Sequence, residues 1–149
     1  MRIYLAGPLF SDAERAWLDS TAARLRAEGF DVFVPHEHFG DIVEVSPDEV
    51  YRVDGAGLRQ ANVLFAWLDG PMVDDGTAAE IGAFAELCRL DDGEHAGIVG
   101  LVTDLRLARR REVAVGDGMN LFVIGAIRSC GRVCWSLDEA IDALRALGA

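Results

Sequence analysis

The sequence predicts a doubly wound α/β fold, a five-stranded parallel sheet with helices on both faces. Short unbroken apolar runs alternate with segments whose apolar residues recur at helical spacing. Such runs suit strands buried on both faces, as a helix-covered parallel sheet demands. Ser-x-x-Glu capping boxes at Ser11–Glu14, Ser46–Glu49 and Ser136–Glu139 mark where helices begin. Strand and helix in alternation, repeated about five times, give a parallel sheet rather than a sandwich.

Arg2 to Gly7 is the first strand, ended by Gly7-Pro8. The helix opened by Ser11 turns Trp17, Leu18, Thr21, Ala22 and Leu25 inward, and Gly29 closes it. Phe30 to Val34 is the second strand, stopped by Pro35. A polar loop over His36–Val45 follows, longer than a plain connection needs. Ser46 with Pro47 at the first helical position starts a helix through Gln60, with Val50, Val53, Gly57 and Leu58 inward. Asn62 to Leu68 is the central strand, and Ala78 to Cys88 is helical, with Ile81, Phe84, Ala85 and Cys88 on one face. Gly97 to Thr103 is the fourth strand. Leu121 to Ile127 forms a short helix entered at Asn120, and Arg132 to Trp135 the fifth strand. The last helix, capped by Ser136, faces Leu137, Ala140, Ile141, Leu144 and Leu147 inward. The expected sheet is flavodoxin-like. No G-x-G-x-x-G follows strand one, which removes the main support for a dinucleotide fold.

Composition narrows the function. With 149 residues, 51% of them hydrophobic, the chain is expected to form a single domain, residues 1–149, around one core. No apolar run is long enough to span a membrane, and the N-terminus reads as a strand rather than a signal peptide, so a cytoplasmic protein is expected. A net charge of −11 argues against nucleic-acid binding, which needs a basic footprint. The 14 Lys-plus-Arg residues are all Arg, which excludes Schiff-base chemistry and a Walker-type phosphate loop. Cys88, Cys130 and Cys134 read as reduced thiols used as small apolar residues. They make no recognisable ligand set with His36, His38 and His95, so neither a metal nor a cofactor is expected.

The informative stretch is Asp69-Gly-Pro-Met-Val-Asp74-Asp-Gly-Thr-Ala-Ala-Glu80-Ile-Gly82, where a strand end, a carboxylate-rich loop and a helix start coincide. Ligands bind at the carboxyl ends of strands in open α/β sheets. If Glu80 lies in the first helical turn, the dipole favours its ionised form, as a nucleophile requires. The same residues also read as a plain capping box, with Glu80 folded back on Thr77, and Asp74 and Asp75 as turn formers beside Gly76. Local pattern leaves both readings open.

The wider set of blocks resembles the nucleoside 2-deoxyribosyltransferase family. Tyr4-Leu-Ala-Gly-Pro-Leu-Phe10, Glu14-Arg15, Asp54, Asp69 through Gly82, Thr103-Asp-Leu-Arg106 and Met119-Asn120-Leu121 keep the order and spacing of that family's blocks. The resemblance implies that Glu80 is the nucleophile, attacking the anomeric carbon of a 2′-deoxynucleoside to form a covalent deoxyribosyl-enzyme. Asp54 then matches the carboxyl that delivers a proton to the leaving base, and Asp74 one that holds the sugar and the nucleophile. Tyr4 matches the aromatic residue beside the nucleophile. Gly7 and Gly76 fall in the substrate-binding blocks, and Asn120 matches a residue reaching the 5′-hydroxyl in a neighbouring subunit's site. Deoxynucleosides and free nucleobases as partners, and a homo-oligomer with sites shared between subunits, follow from the resemblance. So does an Asp54 pKa above that of Glu80, since one carboxyl must donate while the other attacks.

Two rivals accompany this reading. An N-hydrolase of the same superfamily, acting on deoxynucleoside 5′-monophosphates, would need phosphate contacts; Ser11 and Arg15 are the candidates, although a helix cap and a surface Arg explain them as well. A non-catalytic nucleotide-sensing module on the same fold is the other, since fold does not fix function.

Overall fold

The computed structural model describes residues 1–39, 44–91 and 93–148. Five parallel strands form one sheet: β1 (Arg2–Ala6), β2 (Asp31–Phe33), β3 (Val63–Trp67), β4 (Gly97–Leu101) and β5 (Gly131–Cys134). Their order is β2-β1-β3-β4-β5. The predicted flavodoxin-like sheet is therefore present, the first four strands a residue or two shorter than their apolar runs and the fifth shifted by one residue. Strand order reverses direction between β1 and β3, which makes their carboxyl ends the expected place for a crevice.

Among the described residues, six α-helices accompany the sheet: α1 (Asp12–Ala27), α2 (Pro47–Gln60), α3 (Asp75–Leu90), α4 (Leu105–Ala108), α5 (Leu121–Cys130) and α6 (Leu137–Leu147). Side chains alternate across a strand, so each strand feeds two cores. Tyr4, Ala6, Leu64, Ala66 and Ile98 point to the face packed by α2, α3 and α5. Ile3, Leu5, Val63, Phe65, Val99 and Leu101 point to the face packed by α1 and α6. Ser11, Ser46 and Ser136 each cap their helix as predicted, accepting from the backbone N–H three residues on.

Four details depart from the sequence reading. Helix α3 starts at Asp75, earlier than expected, because Asp74 rather than Thr77 is its cap. Val50, assigned inward on α2, is 38% exposed; it borders an open cleft instead of the core. The expected loop after β2 begins with a 3₁₀ turn over Pro35–His38, and its residues 40–43 lie outside the described residues. The stretch after Asp104, read as loop, contains the one-turn α4 and a second 3₁₀ turn at Val115–Gly118. No described helix is long and apolar enough to cross a membrane.

Candidate functional site

At the carboxyl ends of β1 and β3, a cleft of about 380 Å³ opens between the β1–α1 loop, the turn after β2, α2 and the start of α3. Its walls carry three carboxylates, Asp54, Asp74 and Glu80, with Gly7, Gly76 and Thr77 between them and Leu9, Phe10, Pro35, Phe39 and Val50 as apolar surface. A second concavity of about 470 Å³ lies on the other side of Asp54 and Glu80, between α2 and α3, and Tyr4 reaches it. A mostly apolar recess with a few convergent polar groups is the usual form of a small-molecule site.

Each polar side chain is placed by its element. Tyr4 sits mid-strand in β1, paired in register with Phe33 and Leu64, and is fully buried. Its hydroxyl donates to Glu80 Oε1 at 2.5 Å. Glu80 lies six residues beyond the Asp74 cap, in the second turn of α3. The capping-box alternative for Glu80 therefore fails: Thr77 is buried inside the helix, and Glu80 bonds a strand tyrosine across the core. Asp74 Oδ2 accepts from the Thr77 backbone N–H at 3.0 Å and the Thr77 hydroxyl at 3.1 Å, fixing its carboxylate on the cleft wall. Asp54, on α2, has a buried Oδ1 without a hydrogen-bond partner among the described residues. A buried acceptor left unpaired is costly, and ligand sites are where such costs are found.

Close packing under these groups depends on two glycines. A Cβ on Gly57 would come within 2.6 Å of the Phe33 ring, so only glycine lets α2 press this close and bring Asp54 over the sheet. Phe33 in turn stacks on Tyr4 at 5.2 Å and on His38 at 4.1 Å between centroids. A Cβ on Gly7 would stand 3.1 Å from Leu18 and 3.2 Å from Trp67, which keeps the β1 end tucked beside β3. Next to the site, Asp69 accepts from the Thr103 and Asp104 backbone N–H groups and from the Thr103 hydroxyl, tying the loops after β3 and β4 together.

The electrostatics correct one expectation. Burial raises the Glu80 carboxyl to about 7, opposed by the Tyr4 hydrogen bond and reinforced by Asp54 and Asp74. Burial alone raises Asp54 to about 6. The sequence reading had the helix dipole favouring ionised Glu80 and Asp54 as the weaker acid. Helix dipoles act within the first turn, and Glu80 is one turn further in, so desolvation wins. The Tyr4 hydroxyl is itself pushed well above the ordinary tyrosine range, first by burial and then by Glu80 and Asp54, so it stays a donor.

The structure thus brings Tyr4, Gly7, Asp54, Asp74, Gly76 and Glu80 together. It does not bring Asn120 to them. Asn120 is exposed and caps α5, its Oδ1 accepting from Phe122 and Val123 N–H at 3.0 and 3.3 Å, and it lines no part of the cleft. Of the rival phosphate contacts, Ser11 is spent in a complete capping box, whereas Arg15 does border the cleft. Its guanidinium, however, donates to the Leu9 and Phe10 carbonyls and pairs with Asp12. The sequence reading did not single out Leu9, Phe10 or Pro35 for the wall. It treated His36 as a solvated loop residue, but the side chain is 11% exposed, bonded to Asp19 and part of the cleft. Their position after strand ends was the available signal. Among the described residues, no cluster of His, Cys, Asp and Glu suits a metal.

The sequence profile of the nucleoside 2-deoxyribosyltransferase family matches residues 3–121. No curated protein matches the chain. Among solved structures, a conserved protein from Enterococcus faecalis superposes with a TM-score of 0.78 at 26% identity, covering 98% of each chain. A 2-deoxyribosyltransferase from Bacillus psychrosaccharolyticus gives 0.71 at 22% identity, covering 99% of this chain and 96% of its own. A CMP N-glycosidase from Clostridium botulinum gives 0.58 at 18% identity, covering 98% of each.

Proposed function

The chain belongs to the nucleoside 2-deoxyribosyltransferase family, and on that premise we propose that it transfers 2-deoxyribose between nucleobases through a covalent deoxyribosyl–Glu80 intermediate. The observation that carries this reading is the Tyr4–Glu80 hydrogen bond at the floor of a cleft that also holds Asp54 and Asp74. Nothing in a plain helix start requires a glutamate there.

In this account Glu80 attacks the anomeric carbon as the base leaves. Oxocarbenium character develops on the sugar, and a desolvated anion beside it stabilises that charge more than water would. Asp54, across the cleft, donates a proton to the departing base. Tyr4 holds one Glu80 oxygen and leaves the other free to attack. Asp74 orients the sugar, and the missing side chains at Gly7 and Gly76 let it approach the backbone. A second base then takes the sugar from Glu80, with Asp54 accepting its proton, and two displacements retain configuration.

The proton count suits this sequence. With pKa values near 7 and 6, Glu80 and Asp54 together hold one proton between those limits. The reactive arrangement puts it on Asp54. In the empty site that is about a tenth of the singly protonated population, given one unit between the two groups. A base nitrogen accepting from Asp54 favours that arrangement once substrate binds.

Asn120, remote from the cleft of its own chain, is assigned to the cleft of a neighbouring copy in a homo-oligomer, where it would bind the 5′-hydroxyl. A hydrolase acting on 5′-monophosphates is the second reading, since Arg15 borders the cleft. The three carboxylates and the prior engagement of Arg15 disfavour a phosphate dianion there. Chromatography of thymidine or deoxyinosine incubated with free adenine tests the choice. Deoxyadenosine is the expected product. Free base released from a deoxynucleoside monophosphate, with no exchange, would assign the chain to hydrolysis instead.

A further inference from the structure

Away from the cleft, α3 and α5 run side by side in the same direction, each returning from the carboxyl end of a parallel strand. They leave an open groove of about 550 Å³, lined by Gly82, Ala85, Leu121, Phe122, Gly125 and Ala126 among others. Phe122 is 83% exposed at its rim, and Leu121 beside it is 59% exposed. A contiguous apolar patch of this kind, next to a concave surface, marks a contact site. Gly82 and Gly125 lie inside helices, where glycine is a poor choice. Among the described residues, nothing stands within 4 Å of a Cβ built at either one, so no contact in this chain requires the missing side chains.

Charge indicates what covers this face. From Leu105 to Arg132, six arginines stand against two acidic residues, a net +4 in a chain whose total is −11. The start of α3, at the same end of the sheet, is acidic instead, with Asp74 and Asp75. One copy of the chain therefore carries both halves of a complementary pair, a basic segment leading into α5 and an acidic start to α3. An apolar small molecule would fill the groove without engaging either half.

Resting on the assignment of Asn120 to a neighbouring cleft, we propose that the α3–α5 groove is the interface between two copies of this chain, related by a two-fold axis running along the helices. Such an axis sets α5 of each copy against α3 of the other and keeps the carboxyl ends of both sheets on one side. Gly82 and Leu121 are the first residues of their helices to line the groove, so they stand at about one level. Phe122 of one copy then enters the open space above Gly82 of the other. Asn120, two residues earlier, is carried toward the start of the other copy's α3, which walls its cleft. The arginines of residues 106–111 travel with it toward Asp74 and Asp75. Helix α3 thus presents Glu80 to the cleft on one side and the second copy on the other, and a separated copy lacks part of its site.

The test needs no substrate, so its outcome is separate from that of the transferase reading. A photoreactive benzophenone amino acid replaces Phe122 in the full chain. Isotope-labelled and unlabelled copies are mixed and irradiated, and the cross-linked peptides are mapped by mass spectrometry. The expected product joins residue 122 of one copy to residues 82–89 of another, with mixed isotope composition. The unmodified protein should show by light scattering at least twice the mass of one chain. Gly125→Leu places its side chain in space that is open in the single copy. It should keep the far-UV circular dichroism and a cooperative melt, yet halve the mass; Phe122→Asp, at an exposed rim, should do the same. A monomeric unmodified protein, cross-links confined to one chain or to another surface, or unchanged mass in both variants would each overturn the proposal. A dimer through this face with no transfer activity would uphold it and count against the transferase reading alone.

Discussion

Replacing Tyr4 with Phe removes one atom and little else. Tyr4 is fully buried, its ring stacks on Phe33, and Phe keeps that shape. What goes is the donor to Glu80 Oε1 at 2.5 Å. A hydrogen bond to a charged group contributes about 1.5–3 kcal/mol, or about one to two pKa units at 1.36 kcal/mol each. That bond holds Glu80 down, so its carboxyl climbs from about 7 toward about 8 to 9. Two consequences separate this from a packing defect. The alkaline limb of kcat/KM, set by loss of the last proton from the pair, moves up by about one to two units. The reactive form, with Glu80 ionised and Asp54 protonated, becomes about ten- to a hundredfold rarer, and the plateau falls by the same factor. Steady-state kcat/KM measured from pH 5 to pH 9.5 for both proteins reads the two together. A plateau that drops while the limb stays put would refute the claim that Tyr4 tunes Glu80.

Other perturbations follow from the same geometry. Glu80→Gln should stabilise the protein at alkaline pH: a carboxyl raised from 4.5 to about 7 by burial leaves the native state favoured below pH 4.5, and that advantage is lost as pH rises through 7. The gain is at most about 3 kcal/mol at pH 8 and vanishes near pH 4; equal denaturant midpoints for both proteins at pH 8 would contradict it. Asp54→Asn should lower kcat about 10²- to 10⁴-fold with ordinary bases, and much less with a deoxynucleoside whose base departs as a stable anion; a uniform loss across leaving groups would exclude the acid role. Gly57→Ala pushes a methyl into Phe33 and should cost about 1–3 kcal/mol by overpacking, seen as a lower Tm together with a slower kcat; an unchanged Tm would show that α2 has slack. Asn120→Ala forfeits the α5 cap, worth about 1 kcal/mol, and should also lose turnover. Mixing it with Glu80→Ala protein should restore activity in heteromers, and failure to do so would remove Asn120 from a shared site.

Much of the fold was legible because its punctuation is chemical. Ser11, Ser46 and Ser136 each had a glutamate three residues on, and each caps a helix. The apolar strand runs had no competing period. The start of α3 was harder, because Asp74, Asp75 and Thr77 are all able to cap and local pattern cannot rank them. That ambiguity carried through to Glu80: one turn of difference moved it out of reach of the helix dipole and into contact with Tyr4, 76 residues away in sequence. No local rule anticipates such a contact. The aromatic stack of Tyr4, Phe33 and His38 was hidden for the same reason, since it joins a strand pair to a turn. Asp54 was singled out by the family resemblance and by no local pattern of its own. The sheet that puts it opposite Glu80 is a tertiary fact.

The most direct test of the proposed chemistry is the fate of Glu80 itself. Deoxynucleoside mixed with the enzyme without acceptor base, quenched in acid within the first turnover and digested, should yield a peptide containing Glu80 that carries one 2-deoxyribosyl group. The adduct should disappear when free base is added before the quench and be absent from Asp54 and Asp74. Continued release of base with no adduct at Glu80, or an adduct on another carboxylate, would contradict the account.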